Sequence, residues 1–240
     1  MVIASRASGR EKTSAPVAIM ACDEADLRRL ATSSSSGTRE KAYNARILDV
    51  IHSGRTITVA GPVLGAPQAV LVLERLIAQG SRAIVVFGRC GSLQQEVKIG
   101  DWVLPSGARS EEGTSLHYPP VAGEFLPHPV LAARLREYCE REDHPVHIGP
   151  VWTTDAPLRE TAAKVHTYGQ EGILGVEMEM SALFRVAAYR MVPLAGLLVV
   201  SDELFTLQWR PGFRSTRFKK ACRQGAGLIL EFCAGLPKKL

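Results

Sequence analysis

GILGVEMEMSALFRVAAYRMVPLAGLLVVSDEL, residues 172–204, carries an apolar segment, two carboxylates, a helix and a second, very apolar strand. Ile173–Val176 is short and apolar, Met180–Tyr189 has helical character, and Leu194–Val200 is a strand without polar alternation. Strands of that kind are buried on both faces, and in a parallel sheet they are joined through helices. The same rhythm extends towards the N-terminus. Pro16–Cys22 (PVAIMAC) reads as a strand and Asp23–Ala31 as a helix with Asp23 as its N-cap. Ser33–Gly37 is a loop by composition, Thr56–Gly61 a strand, Gln68–Ala78 a helix stopped by Gly80, and Ala83–Phe87 a strand. Downstream come Asp101–Pro105, a polar loop over Ser106–Pro120, a helix over Pro129–Glu140, a strand over Val146–Trp152 and a helix over Leu158–Tyr168. Phe213–Phe232 is a long C-terminal helix. The pattern predicts one α/β domain over residues 16–240, with a mostly parallel mixed central sheet flanked by helices on both faces. Residues 1–15 are polar and expected to be a disordered tail.

The chain has 240 residues, 46% hydrophobic and 22% charged, a globular balance. Its net charge of +5 is not gathered into a polybasic block. The nearest approach, Arg214, Arg217, Lys219, Lys220 and Arg223, reads as a solvated helix face, so no nucleic-acid partner is expected. A mildly basic chain does suit an anionic substrate such as phosphate. The cysteines, Cys22, Cys90, Cys139, Cys222 and Cys233, are widely spaced, which predicts free thiols and no metal site. The opening residues lack a signal-peptide pattern, and the longest apolar run, Val192–Val200, is too short to span a membrane. A cytoplasmic protein with no membrane partner is the expectation.

Three strand ends carry chemistry, because ligands in such folds bind at the C-terminal ends of the strands. The turn Gly88-Arg89-Cys90-Gly91 allows close backbone approach, and Arg89 faces a small anion or a polar ring. Alone it is equally a tight turn. Glu177 and Glu179 sit at i and i+2 where an apolar strand gives way to a helix, and they are expected to point to opposite sides. One is then structural while the other faces a pocket, although both also suit a helix N-terminus. A carboxylate accepts from two vicinal hydroxyls, the pair a ribose offers. Asp202 ends a very apolar strand, where it is a proton donor or an N-cap.

In order and approximate spacing, these segments resemble the nucleoside phosphorylase family that includes uridine phosphorylase and the hexameric purine nucleoside phosphorylases. The likeness runs from Val17 to Phe232 and is strongest over residues 172–204, with support from Val85–Asp101 and Thr154–Thr161. The resemblance implies cleavage of a ribonucleoside by phosphate, giving ribose 1-phosphate and free base, with no metal or organic cofactor. It implies that Glu179 binds the ribose hydroxyls, that Met178 packs on the sugar, and that Asp202 protonates or hydrogen-bonds the leaving base. Glu177, Gly88, Arg89, Gly91, Arg214 and His117 join the substrate-binding set. A homo-oligomer is expected.

The nucleophile end departs from the family pattern. Where Gly-Asp-Pro-x-Arg is usual, this chain has Cys22-Asp23-Glu24-Ala25-Asp26, so an anion stands in place of a cation. Arg89 takes the place of a Ser or Thr, and Arg46 lies close to where a neighbouring subunit often donates an arginine. Either Arg89 replaces the missing cations, or water is the nucleophile with Asp26 as its base, as in the superfamily's hydrolases. A non-catalytic nucleoside-binding relative is a further alternative.

Overall fold

The computed structural model describes residues 13–31 and 35–237. In chain order the elements are β1 (Val17–Ala21), α1 (Glu24–Ala31), β2 (Ser35–Ala42), β3 (Ala45–His52), β4 (Arg55–Gly61), α2 (Ala66–Ala78), β5 (Ala83–Ser92), β6 (Trp102–Glu111), α3 (Pro129–Cys139), β7 (Val146–Thr154), α4 (Ala162–Gln170), β8 (Gly175–Glu177), α5 (Met180–Tyr189), β9 (Leu194–Glu203), β10 (Arg210–Pro211) and α6 (Thr216–Gly235). No helix among the described residues is long and apolar enough to cross a membrane.

The α/β class and the two helical faces match the sequence expectation. Parallel pairing joins β4, β1, β5 and β9 at the centre of a mixed sheet. Alternate residues of each buried strand serve opposite faces. Val17, Ile19 and Ala21 of β1 pack with Leu27 and Leu30 of α1 and with Phe218 and Ile229 of α6. Ala18 and Met20 pack with Val72 and Leu73 of α2 and with Leu183 and Phe184 of α5.

The sheet also closes on itself. Beyond Phe87, β5 leaves β1 and pairs with β8, while keeping β9 on its other side. β9 pairs with β6, β6 with β7, and β7 with β8, which completes a five-stranded ring β5-β9-β6-β7-β8. A bulge between Cys90 and Gly91 marks the bend of β5 into this ring. The closure needs small residues: a Cβ on Gly175 would lie 2.9 Å from the carbonyl oxygen of Gly91.

Several sequence expectations are corrected. Ser35–Gly37 belong to β2 rather than to a loop, and β3 was not anticipated. β2, β3 and β4 form a meander whose tight turns are Tyr43-Asn44 (φ 53° and 65°) and Ser53-Gly54 (φ 47° and 74°). Two-residue turns of this left-handed kind match the twist of a hairpin. The polar stretch from Ser106 is a continuation of β6 to Glu111, paired with β7. Pro157–Arg159 form a single 3-10 turn, and α4 starts at Ala162 rather than Leu158, with Thr161 accepting from Lys164 N–H. The expected tail lies outside the described residues except for its end. There Ser14 and Ala15 are buried and bonded to Gln79 and Thr58, so order begins earlier than expected.

Candidate active site

A cavity of about 630 Å³ opens where β1, β5, β8 and β9 end and α5 begins. Glu177, Met178, Glu179 and Asp202 all line it, together with Arg89, Gly91 and Asp23. Leu158, Glu160, Trp209 and Phe213 come in from the loops that follow β7 and β9.

Glu177 and Glu179 are both buried, yet their surroundings assign them different work. Glu177 accepts from Thr153 Oγ1 and from the N–H groups of Glu179 (2.6 Å) and Met180 (2.7 Å). It therefore caps the first turn of α5, whose N–H groups would otherwise be orphaned. Glu177, expected among the substrate-binding residues, does line the cavity, while its oxygens accept from the chain. Glu179 accepts from Gly65 N–H (2.6 Å), at a backbone turn of φ 78° that leads into α2. Burial pushes both carboxyls above the ordinary range, and Glu179's charge raises Glu177 further.

Asp202 accepts from Ser201 Oγ (2.6 Å) and from Trp209 Nε1 (3.0 Å). Trp209 reaches it because β10 folds back on β9, pairing Pro211 with Asp202. Gly91 stands opposite Asp202 in the ladder, and a Cβ there would lie 2.9 Å from Asp202 Oδ2. The glycine makes room for the acid. Gly88 serves packing instead: a Cβ there would sit 3.0 Å from Cys22 Sγ, and the residue does not line the cavity. Glu160 is half-buried, and its carboxyl is pushed up to about 7 by burial and then by Asp202.

Arg89 reaches the cavity with its charge already matched. Its Nη2 donates to Asp23 Oδ1 (2.5 Å) and its Nε to Asp26 Oδ2 (3.2 Å), while the guanidinium lies 5.2 Å from the Phe218 ring centroid. Asp26 is fully buried, also pairs with Arg29, and does not line the cavity. Burial raises its carboxyl, while Arg89 and Arg29 oppose the rise. A carboxylate clamped between two guanidinium groups holds cations and cannot meet a cavity water, which corrects its expected role as a base. Arg46 is spent on Glu24 (2.6 and 2.8 Å), tying β3 to α1, and lies outside the lining.

Two further expectations are corrected. His117 is exposed, in a single 3-10 turn that packs on the α5 side, away from the cavity. Arg214 is exposed just before Ser215, the N-cap of α6, and is also absent from the lining. The side chain that donates to Asp202 from this segment is Trp209. Sequence reasoning missed Glu160, Trp209 and Phe213. The aromatic pair around Pro211-Gly212, directly downstream of the acid-bearing strand, was the available signal.

Residues 16–233 match the family model of the phosphorylase superfamily. Among curated relatives, a DeoD-type purine nucleoside phosphorylase of Myxococcus xanthus is 30% identical over 80% of this chain and 82% of its own length. A guanosine phosphorylase of Halorubrum lacusprofundi is 28% identical over 66% of each chain. In fold, the chain superposes on uridine phosphorylase from Vibrio fischeri with a TM-score of 0.84 at 21% identity, covering 95% of this chain and 100% of that one. Purine nucleoside phosphorylase from Toxoplasma gondii gives 0.83 at 20% identity, covering 95% and 97%. The chain thus belongs to the phosphorylase superfamily, as a nucleoside phosphorylase-type enzyme that cleaves N-glycosidic bonds.

Proposed function

We propose that the protein cleaves a purine ribonucleoside with inorganic phosphate, giving ribose 1-phosphate and the free base. The observation that carries this reading is one cavity lined by both Glu179, the N-cap residue of α5, and Asp202, near the end of the buried strand β9. The ribose 2′- and 3′-hydroxyls donate to Glu179, and Met178 packs on the sugar. As the bond from C1′ to the base nitrogen breaks, the base gains electron density. Asp202, held by Ser201 and Trp209, donates a proton or a hydrogen bond to it. A phosphate oxygen forms the new bond to C1′, with Arg89 as its charge partner. The reading needs no metal or organic cofactor. The names of the Myxococcus and Halorubrum relatives support a purine.

One observation favours a second reading, hydrolysis by water. Arg89 is the one cation lining the cavity among the described residues, and Asp23 and Asp26 already neutralise it. Product analysis on purine and pyrimidine nucleosides, with and without phosphate, separates the two routes. Phosphate-dependent base release with ribose 1-phosphate supports the first, and free ribose without phosphate supports the second. In either case Asp202→Asn is expected to lower turnover by about 100-fold or more, the scale of a lost general acid. Wild-type turnover in that variant removes the acid role.

We also place the enzyme in the cytoplasm, which the free thiols suit, and expect a homo-oligomer. Exposed Leu64, Leu158, Trp209 and Phe213 ring the cavity mouth and suit cover by a second copy; sedimentation of the purified chain reads this directly.

A further inference from the structure

Asp23 follows β1, Arg89 lies near the end of β5, and both line the cavity. Two carboxylates meet the Arg89 guanidinium, and they differ in how firmly they are held. Asp26 accepts from Arg89 Nε at 3.2 Å, also pairs with Arg29, has no exposed side-chain surface and lies outside the cavity lining. Asp23 accepts from Arg89 Nη2 at 2.5 Å, but its side chain is 34% exposed and the pair opens onto the cavity. An ion pair reached by solvent is weakened by hydration and screening, whereas a buried carboxylate stripped of its cation is costly. Of the two, Asp23 is the one that can leave. It also accepts from Ala25 N–H (2.7 Å), a bond local to the start of α1 that does not depend on the guanidinium.

We propose that Asp23 is a built-in competitor for the anion: it occupies Arg89 in the free protein and gives way when a tetrahedral oxyanion such as inorganic phosphate enters the cavity. This deepens the phosphorolysis reading above and rests on it. The exchange keeps the charges in balance. Asp23, Asp26, Arg29 and Arg89 are two anions and two cations, and Asp26 faces both cations. Withdrawal of Asp23 leaves Arg89 to share Asp26 with Arg29, and the incoming oxyanion makes up the missing negative charge. In that place an oxyanion can accept from Nη2 and Nη1 together on two oxygens, where Asp23 offers Oδ1 to Nη2. Cys22, next to Asp23 in the chain, has its thiol beside Glu179, so the exchange takes place close to the carboxylate proposed to hold the ribose. The consequence is a raised threshold. Phosphate binds only by displacing a carboxylate already in place, so its apparent affinity is lower than Arg89 alone would give it.

Removing a competitor tightens binding, a gain that a damaged fold does not imitate. Asp23→Asn keeps an oxygen for Ala25 N–H and removes the charge. Binding of inorganic phosphate to the full chain is measured by calorimetry at fixed pH and ionic strength, for wild type, Asp23→Asn, Asp23→Glu and the double variant Asp23→Asn with Arg89→Met. Asp23→Asn is expected to bind phosphate at least about 10-fold more tightly than wild type, on the scale of one hydrogen bond to a charged group, and to lower KM for phosphate by a similar factor. Asp23→Glu restores a carboxylate and is expected to stay close to wild type, while the double variant loses the gain. Phosphate binding that is unchanged or weaker in Asp23→Asn, an equal gain in Asp23→Glu, a gain that survives loss of Arg89, or no measurable binding by either wild type or Asp23→Asn overturns the proposal. Tighter phosphate binding by Asp23→Asn without phosphate-dependent base release by any form leaves this assignment standing and sinks the phosphorolysis reading instead.

Discussion

The two ends of the cavity solve the same electrostatic problem in opposite ways. At the α5 end, two carboxylates are packed two residues apart, and the chain satisfies one of them completely. Glu177 absorbs the N–H groups of the helix start, while Glu179, which accepts from Gly65 N–H with Met178 N–H and the Cys22 thiol close by, faces the cavity. At the Arg89 end a single cation is met by two carboxylates, so little charge remains for an incoming anion. The contrast teaches that lining a cavity does not make a charged residue available. What counts is how much of its hydrogen-bonding capacity the fold has already used.

The contrast is open to breakage at both ends. The largest expected effect is at Glu179. Glu179→Ala removes both acceptors for the ribose hydroxyls, and kcat/KM is expected to fall by about 1000-fold in steady-state assays, from two charge-assisted hydrogen bonds. A loss under tenfold means the ribose is anchored elsewhere. Next comes Arg89→Met. If the cation is free to exchange Asp23 for phosphate, KM for phosphate rises by about 100-fold. An unchanged phosphate dependence, or none in wild type, shows that the guanidinium is a structural tie between β5 and α1.

The smallest effect concerns stability. The Glu179 carboxyl is raised in the fold, so its favourable contribution is complete below the ordinary carboxyl value and is lost as pH rises through the folded value, about 7. Between those values the carboxyl ionises in the unfolded chain while it stays protonated in the fold, so stability falls as pH rises. Glu179→Gln keeps an acceptor for Gly65 N–H and removes the charge. It is expected to match wild type near pH 4 and to exceed it by about 1 kcal/mol at pH 8 in denaturant titrations. A constant difference across that range breaks the argument that Glu179 is held at an energetic cost.

The positions of Glu179 and Asp202 were legible because each ends a run of residues too apolar to be anything but a buried strand, and strand ends face the ligand side. The division of labour between Glu177 and Glu179 was only half legible. Strand alternation alone would put i and i+2 on one face; the two diverge because the chain turns from β8 into α5 between them, and only the fold decides that Glu177 meets the N–H groups of α5. In the meander, β4 was legible but β2 and β3 escaped: β2 is polar throughout, and the turn that joins it to β3 rests on Tyr43-Asn44, a weak turn signal in sequence. Asp26 and Arg46 looked equally available on paper. Their partners, Arg29 with Arg89 and Glu24, are side chains that only helix and sheet geometry brings near.

By itself, the sequence determined the α/β class, the order of buried strands and the acids at their ends, because hydrophobic periodicity and local capping are short-range properties. The tertiary structure alone decided the rest. Closure of β5-β9-β6-β7-β8 into a ring rests on pairings between distant segments, and the return of β10 along β9 is a short-range pairing that the periodicity of a two-residue strand does not mark. The β10 pairing brings Trp209 to Asp202, and the ring brings the Glu160 loop to the same cavity, because backbone pairing and not hydrophobic periodicity sets which loops meet.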